Sequence, residues 1–171
     1  MSVPSAVCVF CGASAGRRPE YADAARQLGS LIARAGSTLV YGGGRVGLMG
    51  CVADGALESG GRVVGVITEQ LMDRELGHRG IAELLVVPTM HERKAMMADR
   101  AEGFVSLPGG LGTFDELFEI LSWAQLGIHQ KPVGLLNTLG FYDPLLAMVE
   151  HAATDGFLRM NHREEISVDA D

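Results

Sequence analysis

The chain has 171 residues, of which 47% are apolar and 20% charged, a composition typical of a globular protein with a sizeable core. Its net charge of −7 argues against general nucleic-acid binding, whereas binding of an anionic small ligand depends on local donors and is compatible with it. The sequence has no apolar run of the ~18 residues that a membrane-spanning helix needs, so we expect no membrane association. Residues 1–15 lack the early basic residues and long apolar stretch of a secretory signal, so we expect a cytoplasmic protein.

Apolar runs alternate with segments of helical spacing along the whole chain. Six runs are interpreted as strands: Ala6–Phe10, Thr38–Tyr41, Arg62–Ile67, Leu84–Val87, Gly103–Leu107 and Val133–Leu136. Five segments are interpreted as helices: Glu20–Ala35, Leu48–Glu58, Met90–Ala101, Thr113–Gln125 and Pro144–Thr154. The acidic tail, His162–Asp171, is either an added strand or a frayed end.

The strand segments are almost continuously apolar, which is typical of parallel strands covered by helices on both faces. We therefore predict a single α/β domain over residues 1–171, with a doubly wound, mostly parallel, Rossmann-like sheet flanked by helices. Ligands of such sheets bind beyond the carboxyl ends of the strands. Four segments follow predicted strands and should converge at that edge: Cys11–Gly16, Tyr41–Gly44, Pro88–Lys94 and Pro108–Glu116.

The most informative of these segments is Pro108–Glu116, which contains three glycines between a predicted strand and the helix predicted from Thr113. Glycines expose backbone N–H groups, and the positive end of the following helix points at the same place, so the segment predicts a phosphate-binding site. Glu116 adds a carboxylate beside it, which indicates chemistry on a nucleotide. The alternative is structural, because Thr113-x-x-Glu116 also fits a capping box in which Glu116 bonds to its own main chain.

A second glycine pattern, Gly42-x-Gly44-x-x-Gly47, matches the dinucleotide-binding fingerprint, and Glu69 stands near the position of a ribose-binding acid. The pattern alone is weak evidence for a dinucleotide site, because glycines mark any tight turn between a strand and a helix. Together with the predicted phosphate site, it favours one nucleotide shared between several loops over a full dinucleotide.

Arg93 and Lys94 lie near the start of a predicted helix, where cations oppose the helix dipole. Residues that break a local rule without local gain are functional candidates. The alternative is that both side chains simply point to solvent.

The spacing of the cysteines and histidines gives no indication of a metal site. Cys8 and Cys11 are three residues apart, and on a strand this spacing places them on opposite sides of the sheet. They are therefore interpreted as buried structural thiols. None of the five histidines has metal-ligand spacing to another.

The helix predicted over Thr113–Gln125 is apolar on more than one face. Its large apolar residues are Phe114, Leu117, Phe118, Leu121 and Trp123. Such a helix needs more than one neighbour, so we expect a second subunit to cover it in addition to the sheet.

Two motifs together resemble the signature pair of the LOG ("lonely guy") family of cytokinin riboside 5′-monophosphate phosphoribohydrolases. They are Pro108-Gly109-Gly110-x-Gly112-Thr113-x-x-Glu116 and Met90-His91-x-Arg93-Lys94. The resemblance covers nearly the whole chain and includes Cys11-Gly12-Ala13-Ser14, Tyr41-Gly42-Gly43-Gly44, Gly47-Leu48-Met49-Gly50, Leu71-Met72-x-Arg74-Glu75 and Trp123–His129. Asp115 stands where many members carry Glu, and Leu111 where plant members often carry Tyr, which bears on substrate preference.

The resemblance implies hydrolysis of the N-glycosidic bond of adenosine 5′-monophosphate (AMP), often in its N6-isopentenyl form, to a free base and ribose 5-phosphate. It implies a homodimer with sites near the interface, and we expect no cofactor. Catalysis is assigned to Arg93 and Glu116. Substrate or phosphate binding is assigned to Gly12, Ser14, Gly43, Gly44, Glu75, Arg93, Lys94, Gly109, Gly110, Leu111, Gly112, Thr113, Asp115 and Ser122.

Because a guanidinium stays protonated, Arg93 is expected to fix the substrate and to offset negative charge on the leaving base or the phosphate. Glu116 is expected to stabilise an oxocarbenium-like state and to take a proton from the attacking water.

Three other functions fit parts of the sequence. Members of this family have often been labelled lysine decarboxylases, but a pyridoxal phosphate Schiff base needs a lysine, and the chain has only Lys94 and Lys131. Lys131 precedes the sixth strand, away from the predicted site, and Lys94 has no evident pyridinium partner. A non-catalytic carrier of a nucleotide or of molybdenum cofactor, which the chain resembles in fold, is the main alternative. A dinucleotide-dependent oxidoreductase is third, because the sequence offers no candidate for a hydride-acceptor site.

Overall fold

The computed structural model describes residues 3–159 and 166–170. The strands are β1 (Ala6–Phe10), β2 (Thr38–Tyr41), β3 (Val63–Thr68), β4 (Glu83–Val87), β5 (Gly103–Ser106), β6 (Val133–Leu136) and β7 (Ile166–Asp169). The helices are α1 (Pro19–Arg34), α2 (Gly47–Glu58), α3 (Glu69–Met72), α4 (Met90–Asp99), α5 (Leu111–Gln125) and α6 (Asp143–Thr154), with a 3₁₀ turn at Thr138–Gly140.

These strands form one sheet in the order β4-β3-β2-β1-β5-β6-β7, and every pair of neighbours is parallel. The predicted α/β fold is therefore confirmed. From β1 the chain builds outward to β4 and then returns to pair β5 with β1, so the strand order reverses at β1. Ligands of such sheets bind at this reversal, outside the carboxyl ends of the strands. The site is therefore expected where β1 and β5 end.

The tail of the chain contributes β7, which pairs with β6 from Ile166↔Val133 to Asp169↔Leu136. The added-strand interpretation is thus confirmed for residues 166–169. Of the rest of the predicted tail, residue 170 follows β7 outside the strand, and residues 162–165 and 171 lie outside the described residues.

Apolar side chains fill a core on each face of the sheet, because successive strand residues point to opposite sides. Cys8 packs in one core with Phe104 and Leu117, whereas Cys11 packs in the other with Leu48. Both thiols are free and buried, and burial raises the pKa of each well above its ordinary value. The prediction of two buried thiols on opposite faces is confirmed.

Every predicted strand and helix is present, with ends that shift by at most two residues, and the shift that matters most is at α5. This helix begins at Leu111 with Gly110 as its N-cap, whereas the predicted start was Thr113. Thr113 lies inside the first turn, where its hydroxyl packs so closely on Gly109 that a Cβ there would overlap it. Thr113 is therefore not the N-cap, and the capping-box alternative for Glu116 is wrong.

Two short elements have no counterpart in the predictions. The helix α3 has four residues and is capped by the Thr68 hydroxyl, which accepts a hydrogen bond from the Leu71 N–H at 3.3 Å. The 3₁₀ turn at Thr138–Gly140 has three residues. Elements this short contain too few residues to display a period.

The described ranges contain no helix that is both long enough and apolar enough to cross a membrane.

Helices α1 and α2 pack in close contact because glycines stand where they cross. A Cβ on Gly29 would overlap the carbonyl of Val52, and a Cβ on Gly55 would overlap the carbonyl of Arg26. This close approach fixes α2, whose first turn lies beside the carboxyl ends of the central strands.

We expect Gly29→Ala to lower the free energy of unfolding by about 1–2 kcal/mol. Overpacking against backbone atoms outweighs the ~1 kcal/mol that Ala contributes over Gly in a helix interior. Gln27→Ala, at an exposed position of the same helix, is the control and should leave stability close to wild type. The measurement is urea unfolding followed by circular dichroism, and an unchanged or stabilised Gly29→Ala variant would contradict the packing argument.

Candidate active site

A cavity of about 540 Å³ opens where β1 and β5 end, at the reversal of strand order. Its lining comes from the end of β1, from the loops that follow several strands and α3, and from helices α1, α2, α4 and α5. It brings together nine of the residues predicted to form the site: Gly12, Ser14, Glu75, Arg93, Gly109, Gly110, Gly112, Thr113 and Glu116.

The loop after β1 and the loop after β5 are tied to each other at the floor of the cavity. The Gly12 N–H donates to the Pro108 carbonyl at 3.1 Å, and the Gly12 carbonyl accepts from the Leu48 N–H at 3.0 Å. A Cβ on Gly12 would lie 3.2 Å from the Cα of Gly109. Glycines at both positions therefore allow the two backbones to approach.

The first turn of α5 forms one wall of the cavity and presents N–H groups that are not paired within the helix. In the described part of the chain, no side chain caps this helix and its first turn carries no acid. A Cβ on Gly110 or Gly112 would meet no described atom within 4 Å, so the space beside both is open. Open space, unpaired N–H groups and the positive end of the helix dipole together favour an anion here.

Glu116 lies one turn further along α5 with only 8% of its surface exposed. Its Oε1 accepts a hydrogen bond from Arg93 Nη1 at 3.3 Å, so the carboxylate does not fold back onto its own helix. Burial raises the pKa of Glu116 to about 7, the Arg93 guanidinium opposes this rise, and the Glu75 carboxylate adds to it. Glu116 is therefore divided between acid and carboxylate near neutral pH.

Arg93 is 5% exposed and reaches inward from the first turns of α4. Its Nε donates to the Val66 carbonyl at 2.9 Å and its Nη2 to the Gly42 carbonyl at 3.1 Å. A Cβ on Gly42 would collide with the guanidinium. The solvent-facing alternative is therefore wrong for Arg93, which joins the ends of β2 and β3 to α5 through Glu116.

Glu75 enters the cavity from the segment that follows α3. Burial raises the pKa of its carboxyl group, and the nearby Arg93 partly offsets the rise. Its Oε2 is shielded from solvent and has no hydrogen-bond partner among the residues that the structure describes. A buried polar atom without a partner is destabilising unless a ligand satisfies it.

The glycines of Gly42-x-Gly44-x-x-Gly47 are required by protein packing. A Cβ on Gly44 would press on Met49 and Glu75, and a Cβ on Gly47 would overlap the backbone of Ala13. Glu69, at the expected ribose-binding position, is exposed and does not line the cavity. The structural interpretation of this pattern is therefore favoured over a dinucleotide site.

Six predicted binding residues do not line the cavity. Gly43 and Gly44 stand behind the wall, Leu111 is 86% exposed, and Ser122 lines a second cavity between α5 and β6. Lys94 Nζ is ion-paired with Asp115 at 3.0 Å and Glu119 at 3.1 Å. Burial opposes the charge of Lys94, but these hydrogen bonds raise its pKa above the ordinary value. The ligand roles of these residues stay predictions.

Sequence reasoning missed Tyr21, Met49 and Phe141, which line the cavity. Tyr21 and Phe141 make an edge-to-face contact with ring centroids 6.1 Å apart. Phe141 follows β6 at the same edge of the sheet as the other site segments, and this position was the available signal. Tyr21 and Met49 face the cavity only because of tertiary packing.

Neither of the two lysines lies in this cavity. Lys131 Nζ donates to the Ala98 carbonyl at 2.8 Å and borders the second cavity, while Lys94 is held by its two acids. A Schiff base with pyridoxal phosphate needs a free lysine amine at the site. The geometry therefore disfavours decarboxylase chemistry. Within residues 3–159 and 166–170, no three His, Cys, Asp or Glu side chains are grouped closely enough to hold a metal ion.

Solved structures share this fold. A molybdenum cofactor binding protein from Rippkaea orientalis superposes with a TM-score of 0.73 and 23% identity, over 100% of this chain and 92% of its own. The molybdenum cofactor carrier protein of Chlamydomonas reinhardtii gives a TM-score of 0.70 and 24% identity, over 99% of this chain and 91% of its own. At this level of identity the likeness concerns the fold alone.

Sequence comparison is more specific. A family model described as "Possible lysine decarboxylase" matches residues 49–171. The probable cytokinin riboside 5′-monophosphate phosphoribohydrolase LOGL1 of Oryza sativa is 51% identical over 160 residues, which cover 94% of this chain and 72% of that protein. The cytokinin riboside 5′-monophosphate phosphoribohydrolase of Rhodococcoides fascians is 51% identical over 166 residues, 96% of this chain and 84% of that protein. The chain therefore belongs to the LOG family of cytokinin riboside 5′-monophosphate phosphoribohydrolases.

Proposed function

We propose that this protein hydrolyses the N-glycosidic bond of an N6-modified adenosine 5′-monophosphate and releases a free cytokinin base and ribose 5-phosphate. The observation that carries the proposal is the placement of an uncapped helix N-terminus beside the buried Arg93–Glu116 pair in one cavity. Relatives about half identical to this chain bear the name of that activity.

The substrate phosphate is assigned to the first turn of α5. The N–H groups from Gly110 to Thr113 are free of intrahelical bonds, and the space beside Gly110 and Gly112 is open. The loop after β1, with Gly12 and Ser14, forms the opposite side. This arrangement binds an anion through main-chain N–H donors and the helix dipole. Because it needs no excess of basic side chains, it is compatible with the negative net charge of the chain.

The anomeric carbon is assigned to a position beside Glu116. Glu116 is five residues beyond Leu111, a distance of about 8 Å along the axis, and helical side chains tilt toward the N-terminus. A carboxylate thus stands within the length of a ribose 5-phosphate from the phosphate site. There it stabilises the oxocarbenium-like state and accepts a proton from the attacking water. The C–N bond electrons leave with the base, which takes up a proton, so that one water is consumed.

Arg93 holds the carboxylate of Glu116 in place. Three of its five N–H donors are used by Val66, Gly42 and Glu116, and its charge favours the ionised form of Glu116. The remaining donors are available to the substrate or to negative charge that develops on the leaving base.

Glu75 is assigned to a substrate hydroxyl. Its unpartnered Oε2 is buried at the cavity wall near the Arg93–Glu116 pair. A ribose hydroxyl can donate to this oxygen and remove the penalty of an unsatisfied buried group.

Incubation of the pure protein with AMP and with N6-isopentenyl-AMP, followed by chromatography for the released base, tests the proposal. Release from both at different rates is the expected result. Tight binding of either nucleotide without release of base would favour the carrier function instead.

We expect Glu116→Gln to keep the fold and to lower turnover by about a hundred- to thousandfold, because one preorganised charged group is removed from the reacting centre. Glu119→Gln on the same helix is the control, since Glu119 faces Lys94 and should retain activity near wild type. Base release under saturating substrate and thermal unfolding are measured in parallel. Wild-type turnover in Glu116→Gln would remove this residue from the mechanism.

The pH dependence follows from the same carboxylate. We expect kcat/KM to rise as pH increases through about 7, because only the ionised form of Glu116 accepts the proton from water. Glu75→Gln removes a charge that raises the pKa of Glu116, so the inflection should move to lower pH. Arg93→Gln removes a charge that lowers this pKa and should move it to higher pH. A profile that is flat across neutral pH, or shifts of opposite sign, would contradict the assignment.

A homodimer is part of the proposal. Leu111, Asp115, Phe118 and Ser122 recur at helical spacing along one exposed face of α5. Three of them were predicted to bind substrate but do not line the cavity of this chain. Covering this face with a second copy would bury the exposed apolar side chains and bring these residues to the subunit interface.

We expect the wild-type protein to run as a dimer in light scattering, and Phe118→Glu to run as a monomer, because a carboxylate is introduced where 45% of an apolar ring is now exposed. Leu31→Glu changes a similarly exposed residue on α1 and should leave the dimer intact. A monomeric wild type, or equal dissociation by both variants, would refute an interface on α5.

A further inference from the structure

The segment Asp73–Gly80 carries Glu75 into the cavity and is held in an unusual backbone conformation. Leu76, directly after Glu75, has φ of +48°, in the left-handed region that non-glycine residues rarely adopt. Its side chain is exposed, so apolar packing does not hold it there. A strained backbone persists only where surrounding contacts enforce it.

Main-chain hydrogen bonds supply part of this restraint. The Glu75 carbonyl accepts from the Arg45 N–H at 2.9 Å, and the His78 N–H donates to the Gly43 carbonyl at 2.8 Å. These bonds fix the segment against the loop between β2 and α2. Gly43 and Arg45, which do not line the cavity, thus restrain the backbone of the segment that carries Glu75.

The His78 side chain supplies the other part. It is buried, although it belongs to a surface segment. Its Nδ1 accepts a hydrogen bond from the Gly80 N–H at 3.2 Å, so the ring hydrogen of the neutral imidazole is on Nε2. Nε2 is buried and makes no hydrogen bond of good geometry within the described residues, and Asp54 Oδ1 on α2 lies 3.5 Å from it. This contact connects the segment to α2.

Asp54 is also held by an arginine of α1. Its Oδ2 lies 3.9 Å from Arg26 Nη2 of α1, and the same arginine forms an ion pair with Glu58 one turn further along α2. Asp54 of α2 therefore lies between His78 and Arg26 of α1. Glu58 shares the arginine but is not in contact with His78.

We propose that His78 is a positioning residue, whose contact with Asp54 holds the segment Asp73–Gly80 against α2 and thereby sets the place of the Glu75 carboxyl group in the substrate cavity. The inference rests on the proposed function, because it assigns the purpose of the contact to substrate binding by Glu75. Neither His78 nor Asp54 lines the cavity, so both act through Glu75.

The first test compares Asp54→Ala with Glu58→Ala, which removes a neighbouring acid that also pairs with Arg26. We expect Asp54→Ala to raise KM for AMP about three- to fivefold with little change in kcat, and Glu58→Ala to leave both near wild type. Hydrogen exchange gives a readout without substrate. The amides of Gly77 and His78, bonded to Met72 and Gly43, should exchange faster in Asp54→Ala only.

The second test uses rescue at His78. Gln can place an N–H donor near the position of Nε2, so His78→Gln should keep KM within about twofold of wild type, whereas His78→Leu should raise it about tenfold. In the Glu75→Ala background, His78→Leu should add almost nothing to the change in KM, because the two residues act as a unit.

The outcomes separate this inference from the proposed function. Equal KM and equal amide exchange in Asp54→Ala and Glu58→Ala would overturn it, as would a full additional effect of His78→Leu in the Glu75→Ala background. Absence of base release by the wild type would refute the proposed function, whereas faster exchange of the Gly77 and His78 amides in Asp54→Ala alone would still support the contact that holds the segment.

Discussion

The burial of one guanidinium is the constraint on which the rest of the site depends. Arg93 can stay inside the protein only because carbonyls at the ends of β2 and β3 and the carboxylate of Glu116 take up its donors. This requirement explains the glycine at position 42, whose missing side chain makes room for the guanidinium. It also sets the distance between α4 and α5, and with it the place of the acid beside the first turn of α5.

The charges in the cavity have opposing effects on the pKa of Glu116. Burial and the Glu75 carboxylate raise the pKa of Glu116, while Arg93 lowers it, and the result is a carboxyl group poised near neutral pH. A fully exposed carboxylate would be ionised but weakly basic, and a buried one without Arg93 would stay protonated. On the outer side of the same helix pair, Lys94 meets Asp115 and Glu119 and reinforces the alignment.

The sequence was sufficient to predict the strands, because parallel strands covered on both faces are continuously apolar, and to select Arg93, because a cation at a helix start is unfavourable unless something else holds it. It failed at the start of α5, where Thr113-x-x-Glu116 has the spacing of a capping box but Gly110 is the N-cap. Tyr21 and Met49 face the cavity through tertiary packing, which leaves no local pattern. The order of the strands is likewise set by long-range pairing.

The open first turn of α5 has a consequence for the empty protein. No side chain of the described residues caps this helix, so the amides of its first turn have no partner within it. The phosphate of a bound nucleotide would accept hydrogen bonds from these amides and so cap the helix. Each catalytic cycle would then complete and reopen one end of a helix, so that occupancy of the site and order in this part of the backbone rise and fall together.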